Sequence, residues 1–227
     1  MVYNITRRIN MKLLKRIGIF IGIIVFLQTG YAVPESNNDF DYYVLVLSWS
    51  PEFCSNSQKT NEEQCKIGRK YDFVLHGLWP QHEKGYPSEC STQKIPRKIE
   101  KKCNIFPSKK LCYHEWRKHG TCSGLNAAGY LDLSKSLKES VVIPNKYKLP
   151  EKPFKTTLDE LKSEFIAANP GFSNNSIAPY CKKGNYLKEV FFCYNKNGKP
   201  RSCSKEVLKK SAKSCGKKDG FIIRNVR

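Results

Sequence analysis

Ten cysteines constrain this chain more than any other feature: Cys54, Cys65, Cys90, Cys103, Cys112, Cys122, Cys181, Cys193, Cys203 and Cys215. Their meaning depends on the compartment, and the first residues bear on that. Arg7, Arg8, Lys12, Lys15 and Arg16 form a basic start, and the uncharged apolar run Ile17 to Leu27 follows. Gly30 and Ala32 then put small side chains where a signal peptidase reads. This is the pattern of a secretory leader over residues 1–32, cleaved after Ala32. A membrane anchor is the rival, but a spanning helix needs about 20 apolar residues and this run is shorter. An even cysteine count in an exported chain predicts up to five disulfides. A zinc site is a weak alternative, because no pair has the two-residue spacing of a zinc knuckle.

Removing five basic residues and no acidic one with the leader lowers the net charge from +20 to +15. A polyanion is attracted to such a surface, and its binding weakens with salt. Any single lysine is still better read as a solvated surface group. The length of 227 residues allows one sizeable domain, residues 33–227, with no internal repeat.

Strand signals cover Phe40 to Trp49, Phe73 to Leu75, Val190 to Tyr194 and Phe221 to Ile223. Pro87 to Pro107 reads as an exposed loop, Tyr113 to His119 as a helix, and Gly129 to Ser140 as an amphipathic helix. Thr157-Leu158-Asp159-Glu160 is a capping box that opens another, closed by Asn169-Pro170-Gly171. Asn197-Gly198 signals a turn, after which Lys199 onward can return antiparallel. The irregular mixture predicts an α+β fold: one domain, a central antiparallel-rich sheet and packed helices, stabilised by disulfides.

Three of the four histidines fall in two short segments. One is His76-Gly77-Leu78-Trp79-Pro80, a strand ending in a histidine and a turn at a sheet edge. The other is His114-Glu115-Trp116-Arg117-Lys118-His119-Gly120-Thr121-Cys122. On a helix, His114 and Lys118 share one face, as do Glu115 and His119, so the four fan over roughly 140°. Trp116 points away and can anchor the helix in the core. Imidazoles beside a carboxylate and an ammonium provide acid–base chemistry next to an anion. His114-Glu115 also opens like a zinc-peptidase motif, but the position four residues on is lysine rather than the required second histidine. A non-catalytic, basic RNA- or surface-binding protein is a third reading. His82, outside both segments, reads as structural.

The two segments, in this order in an exported cysteine-rich chain, resemble the active-site segments of the ribonuclease T2 family of secreted acid ribonucleases. The likeness extends to Tyr43–Trp49 and to Tyr186-Leu187-Lys188-Glu189-Val190 with Cys193, and so spans the mature chain. Leu47-Ser48-Trp49-Ser50-Pro51-Glu52-Phe53-Cys54 looks more like the bacterial branch. The resemblance implies a ribonuclease T2-like fold and metal-independent, cofactor-free endonucleolytic cleavage of single-stranded RNA. A 2′,3′-cyclic phosphate forms first, slower hydrolysis to a 3′-phosphate follows, and base specificity is low.

By similarity, His119 is the base, His76 the acid and His114 a phosphate ligand, while Glu115 and Lys118 stabilise the pentacovalent state. The residues alone do not say which histidine is acid and which is base. A carboxylate such as Glu115 repels phosphate unless it is protonated or paired. Trp79 is open between base stacking and packing, and Tyr86 is a weaker base-contact candidate. Many eukaryotic relatives carry glutamine at the position of Ser48 and aromatics at those of Leu111 and Cys112, where one nucleotide pocket forms, so base preference is open here. The family pattern pairs Cys90–Cys122, Cys181–Cys215 and Cys193–Cys203; remainder and proximity then give Cys54–Cys65 and Cys103–Cys112. Single-stranded RNA is the expected partner of a monomeric protein with no stable protein partner. The destination is periplasmic or extracellular. Asn174-Asn175-Ser176 is a glycosylation sequon, relevant only in a eukaryotic secretory route.

Overall fold

The computed structural model describes residues 39–55 and 62–226. The expected leader, residues 1–32, lies outside them. A six-stranded sheet forms the centre. Its strands are β1 (Tyr42–Trp49), β2 (Phe73–Gln81), β3 (Phe154–Thr156), β4 (Ile177–Lys182), β5 (Tyr186–Tyr194) and β6 (Phe221–Ile223). The order is β2-β1-β5-β6-β3, with β4 also paired to β5. All pairings are antiparallel except β5 with β6. The helices are α1 (Ser50–Phe53), α2 (Lys109–Lys118), α3 (Ala127–Ser140), α4 (Leu158–Ala168) and α5 (Lys205–Cys215).

Alternation along β1 builds both faces of the sheet. Tyr43, Leu45, Leu47 and Trp49 enter the main core with Trp116 of α2, Tyr130 of α3 and Phe165 of α4. Tyr42, Val44 and Val46 face the other way, against Val207 of α5 and Cys193 and Cys203. The strand is apolar on both faces because both are covered.

The structure departs from the sequence reading at several elements. Strand β2 does not end at His76; it runs on through Trp79 and Pro80. Proline is tolerated there because β2 is an edge strand. Within it, Val46 pairs with Gly77 and Leu47 with Leu75, leaving His76 as the extra residue of a β-bulge. The presumed loop Pro87–Pro107 contains a 3-10 helix, Arg97–Ile105, with Ile95, Cys103 and Phe106 buried. Helix α2 starts four residues early, at Lys109, capped by the Ser108 side chain, which accepts from the Leu111 N–H. Strand β4 and helix α5 carry no strong sequence signal: β4 is interrupted by Pro179, and lysines crowd α5 around its buried Val207 and Ser211. The return after Asn197-Gly198 is a single bridge, Tyr194 to Pro200, before α5 begins.

The described residues hold five disulfides: Cys54–Cys65, Cys90–Cys122, Cys103–Cys112, Cys181–Cys215 and Cys193–Cys203. Two of them bear on the site. Cys103–Cys112 ties the 3-10 segment to α2. Cys90–Cys122 holds the short 3-10 turn Gly120–Cys122 that follows α2.

Candidate active site

Two elements, β2 and the end of α2, bring the predicted residues together. The bulge at His76 puts two residues, rather than one, between Leu75 and Leu78, and both leucines stay in the core. His76 and Trp79 are thereby aimed together, with their rings edge to face at 5.2 Å. Gly77 lies between them. A Cβ there would come within 2.0 Å of Glu115 Oε2 and 2.4 Å of Trp79 Nε1, so glycine leaves the room in which the Trp79 indole meets the Glu115 carboxylate.

His114, Glu115 and Lys118 lie on α2, but His119 does not continue it. His119 is the C-cap (φ −121°, ψ −45°), so the arc predicted for an unbroken helix fails at its last member. The chain turns there into Gly120–Cys122, whose glycine is packed against Trp116 and Tyr130. His119 is consequently buried, and its ring stacks on Trp79 at 4.9 Å with an interplanar angle of 24°. Trp116 is buried and donates its indole N–H to the Gln93 carbonyl, the anchoring role foreseen for it.

The two catalytic candidates sit in opposite electrostatic surroundings. His76 Nδ1 is 2.7 Å from Glu189 Oε1, and its Nε2 is 3.7 Å from Glu115 Oε1. Burial alone would lower His76, but the hydrogen bond and charge of Glu189, with Glu115 adding, outweigh it and raise the imidazole above its ordinary value. His119 has no such neighbour: its Nδ1 is buried without a hydrogen-bond partner. Burial first, then the positive charge of Lys118, His76 and His114, pushes His119 down to about 3. Of the two, His76 is thus the ring that keeps its proton to higher pH, and His119 the one that loses it first.

Glu115 is almost wholly buried and accepts the Trp79 indole N–H at 2.6 Å. Burial raises it to about 7 against the opposing pull of His76, Trp79 and Lys118. Below that pH it is mostly a neutral acid that no longer repels a phosphate. His114 is exposed and lowered, by partial burial first and then by Lys118 and Arg117.

A cavity of about 360 Å³ opens between these groups, with His76, Trp79, His114, Glu115, Lys118 and His119 in its walls. Tyr86, 52% exposed, stands at this cavity with its ring 5.9 Å from His119. His82 lines it too, with Nδ1 4.0 Å from Asp41 Oδ2, so the structural reading of His82 leaves out its position at the site. A second cavity, of about 590 Å³, shares His76 and His114 and extends past Ser48, Leu111, Lys110 and Glu189. Cys112, by contrast, is buried in its disulfide and lines neither cavity. Trp79 has its N–H on Glu115, one face against His119 and its edge near Phe191. These contacts make it a scaffold for the site.

Glu189 is the site residue that the sequence reading did not single out. Its signal was available: a carboxylate beside Val190, Phe191 and Phe192 in a strand otherwise fit for burial. It is 5% exposed, bonded to His76 and paired with Lys188 at 3.2 Å.

The chain is also similar to known proteins. Residues 40–203 match the model of the ribonuclease T2 family. A ribonuclease of Aeromonas hydrophila is 34% identical over 223 residues, spanning 94% of this chain and 100% of that protein. Among solved structures, ribonuclease MC1 from bitter gourd seeds superposes with a TM-score of 0.56 at 23% identity, covering 70% of this chain and 91% of that one. Ribonuclease NT, solved in complex with 5′-AMP, gives 0.54 at 23% identity over 73% and 95%. Both share the fold.

Proposed function

The chain belongs to the ribonuclease T2 family, and we propose that it is an exported endoribonuclease that cleaves single-stranded RNA by internal phosphoryl transfer. The ribose 2′-hydroxyl attacks the adjacent phosphorus and the 5′-oxygen leaves. One product ends in a 2′,3′-cyclic phosphate and the other begins with a 5′-hydroxyl. Water then opens the cyclic ester more slowly, leaving a 3′-phosphate.

The observation that carries this reading is the opposed pair of imidazoles. An in-line displacement needs a base on one side of phosphorus and an acid on the other. His119, neutral and walled into the 360 Å³ cavity, is the base that takes the 2′ proton. His76, held protonated, gives its Nε2 proton to the leaving 5′-oxygen. The phosphodiester's own negative charge raises His119 when it arrives, which strengthens the base at the moment of use. His114 and Lys118 hold the phosphate, and Lys118 places fixed positive charge where anionic charge grows. Glu115, as a neutral acid below about pH 7, donates a hydrogen bond to a phosphoryl oxygen. No metal or cofactor enters this scheme.

The two cavities meeting at His76 and His114 give the nucleotides on either side of the scissile phosphate a place each. The 5′-AMP bound by ribonuclease NT supports a nucleotide ligand here. Base preference is weak on this reading, since Ser48 and Leu111 offer one hydroxyl and an apolar wall. Tyr86, exposed at the opposite cavity, is better disposed to stack on a base than Trp79, whose face is taken by His119. The enzyme acts as a monomer. The leader is removed after Ala32, and five disulfides fit the oxidising periplasm or exterior.

The test is incubation of the purified protein with single-stranded RNA in excess EDTA, with analysis of the product ends. Cyclic-phosphate ends are expected. His76→Phe and His119→Phe should each lose about 10²–10⁴-fold in rate while circular dichroism shows a retained fold. Cleavage that stops in EDTA, or either variant turning over like wild type, contradicts the scheme.

A further inference from the structure

The acid and base roles of the two imidazoles require that the rings differ, and the structure locates the difference behind one of them. Nδ1 of His76 points at Glu189 on β5 at 2.7 Å, whereas Nδ1 of His119 is buried with no acceptor. The rings otherwise share their setting: both line the same cavity and both contact Trp79.

Glu189 is itself held in place. It is buried in the middle of the sheet, opposite Ser48 of β1 and Tyr180 of β4 in the strand register. The Ser48 hydroxyl lies 3.4 Å from Oε1, the same oxygen that faces His76, and Lys188 Nζ lies 3.2 Å from Oε2. Such a carboxylate has little freedom to swing into the cleft. Its Oε1 is thereby set to accept from the back of His76.

We propose that Glu189 is a positioning residue: it fixes the ring of His76 so that Nε2–H faces the leaving oxygen, and it keeps that ring cationic until the proton is given up. The inference rests on the nuclease reading, in which His76 is the acid. It assigns to β5 a part in the chemistry that β2 and α2 alone do not complete.

The charged groups around His76 bear on this from several sides. Glu189 and Lys188 come from β5, Glu115 and His114 from α2, and His119 from the turn after α2. Lys188 disfavours a proton on His76. Glu115 favours it only while ionised, and burial keeps Glu115 largely neutral on the acidic side of about 7. Glu189 is the carboxylate that stays ionised throughout: burial would raise it, but the bond to His76 and the charges of His76 and Lys188 lower it. The cationic state of His76 in mildly acidic solution is therefore set mainly by Glu189.

Glu189→Gln separates charge from shape, since its amide oxygen can still accept from Nδ1–H. In this variant the alkaline limb of the kcat/KM profile should move to lower pH, and kcat at neutral pH should fall about tenfold. Glu189 also stands in the wall of the 590 Å³ cavity, so the positioning role is read from the pH limb and the ring midpoint rather than from KM. The titration midpoint of the His76 ring, followed by NMR without substrate, should move down with the limb. Glu189→Ala also removes the acceptor and should cost a further tenfold or so in kcat. An unmoved midpoint and unmoved limbs in Glu189→Gln overturn the proposal, as does an equal loss of rate at every pH. If the wild-type protein does not cleave RNA, the nuclease reading falls, while the ring midpoint still decides whether Glu189 governs His76.

Discussion

Glu115 shows how one buried side chain can set pH dependence for the whole protein. Its folded value of about 7 lies above that of an exposed carboxylate, so the folded state holds a proton that the unfolded chain has released. The stability from this group is complete below the unfolded value and is lost as pH rises through about 7. Stability of the wild type should fall between pH 5 and pH 8 in urea melts, and Glu115→Gln, which keeps a neutral hydrogen-bonding group, should flatten that fall. Gly77→Ala is a harsher test, because the added methyl has Glu115 Oε2 at 2.0 Å. We expect a destabilisation of about 1–3 kcal/mol and a rate loss exceeding that of most surface changes. His76, His114, Glu115, Lys118 and His119 were legible in the sequence because their spacing is local and their chemistry is distinctive. Glu189 was not, because its partner is 113 positions away and only the pairing of β5 with β1 brings the two together. The capture of the Trp79 face by His119 was equally hidden, since it depends on the helix ending where it does.

At the scale of elements, local signals were readable where the chain supplies its own partner. The capping box at Thr157 is present with both of its hydrogen bonds, and α4 starts where it says. Thr157→Ala should therefore lower unfolding stability by about 1 kcal/mol in urea melts and leave RNA cleavage unchanged. Elements shaped by distant contacts were not readable. Strand β2 passes through a Gly-Leu-Trp-Pro stretch that looks like a turn because β1 supplies its pairing and the sheet edge tolerates the proline. Helix α5 was obscured by its lysines, although Ser204 caps it and Val207 and Ser211 bury its inner face. The segment from Arg97 to Ile105 is ordered in part by Cys103; its pairing with Cys112 was expected from proximity, but that pairing does not say that the residues before it wind into a 3-10 helix.

For the whole molecule, the disulfides and the charge set distinct dependences. By loop length, opening Cys181–Cys215, separated by 34 residues, should cost about 4 kcal/mol, against about 2.5 kcal/mol for Cys103–Cys112, separated by 9. Paired serine variants compared in guanidinium melts test that ranking. With the leader removed as proposed, the net charge of +15 predicts that kcat/KM on RNA falls steadily with added salt. The α+β class and the disulfide-held architecture were legible from composition and spacing; the sheet order was not, because it is set by which strands cover which faces. On the proposed reading, this architecture holds two imidazoles of one cavity in different electrostatic surroundings. The most direct measurement is an NMR titration of both rings in the wild-type protein without substrate. His76 should titrate above the ordinary histidine value and His119 well below it, near 3. Two rings that titrate together, or in the reverse order, contradict the account.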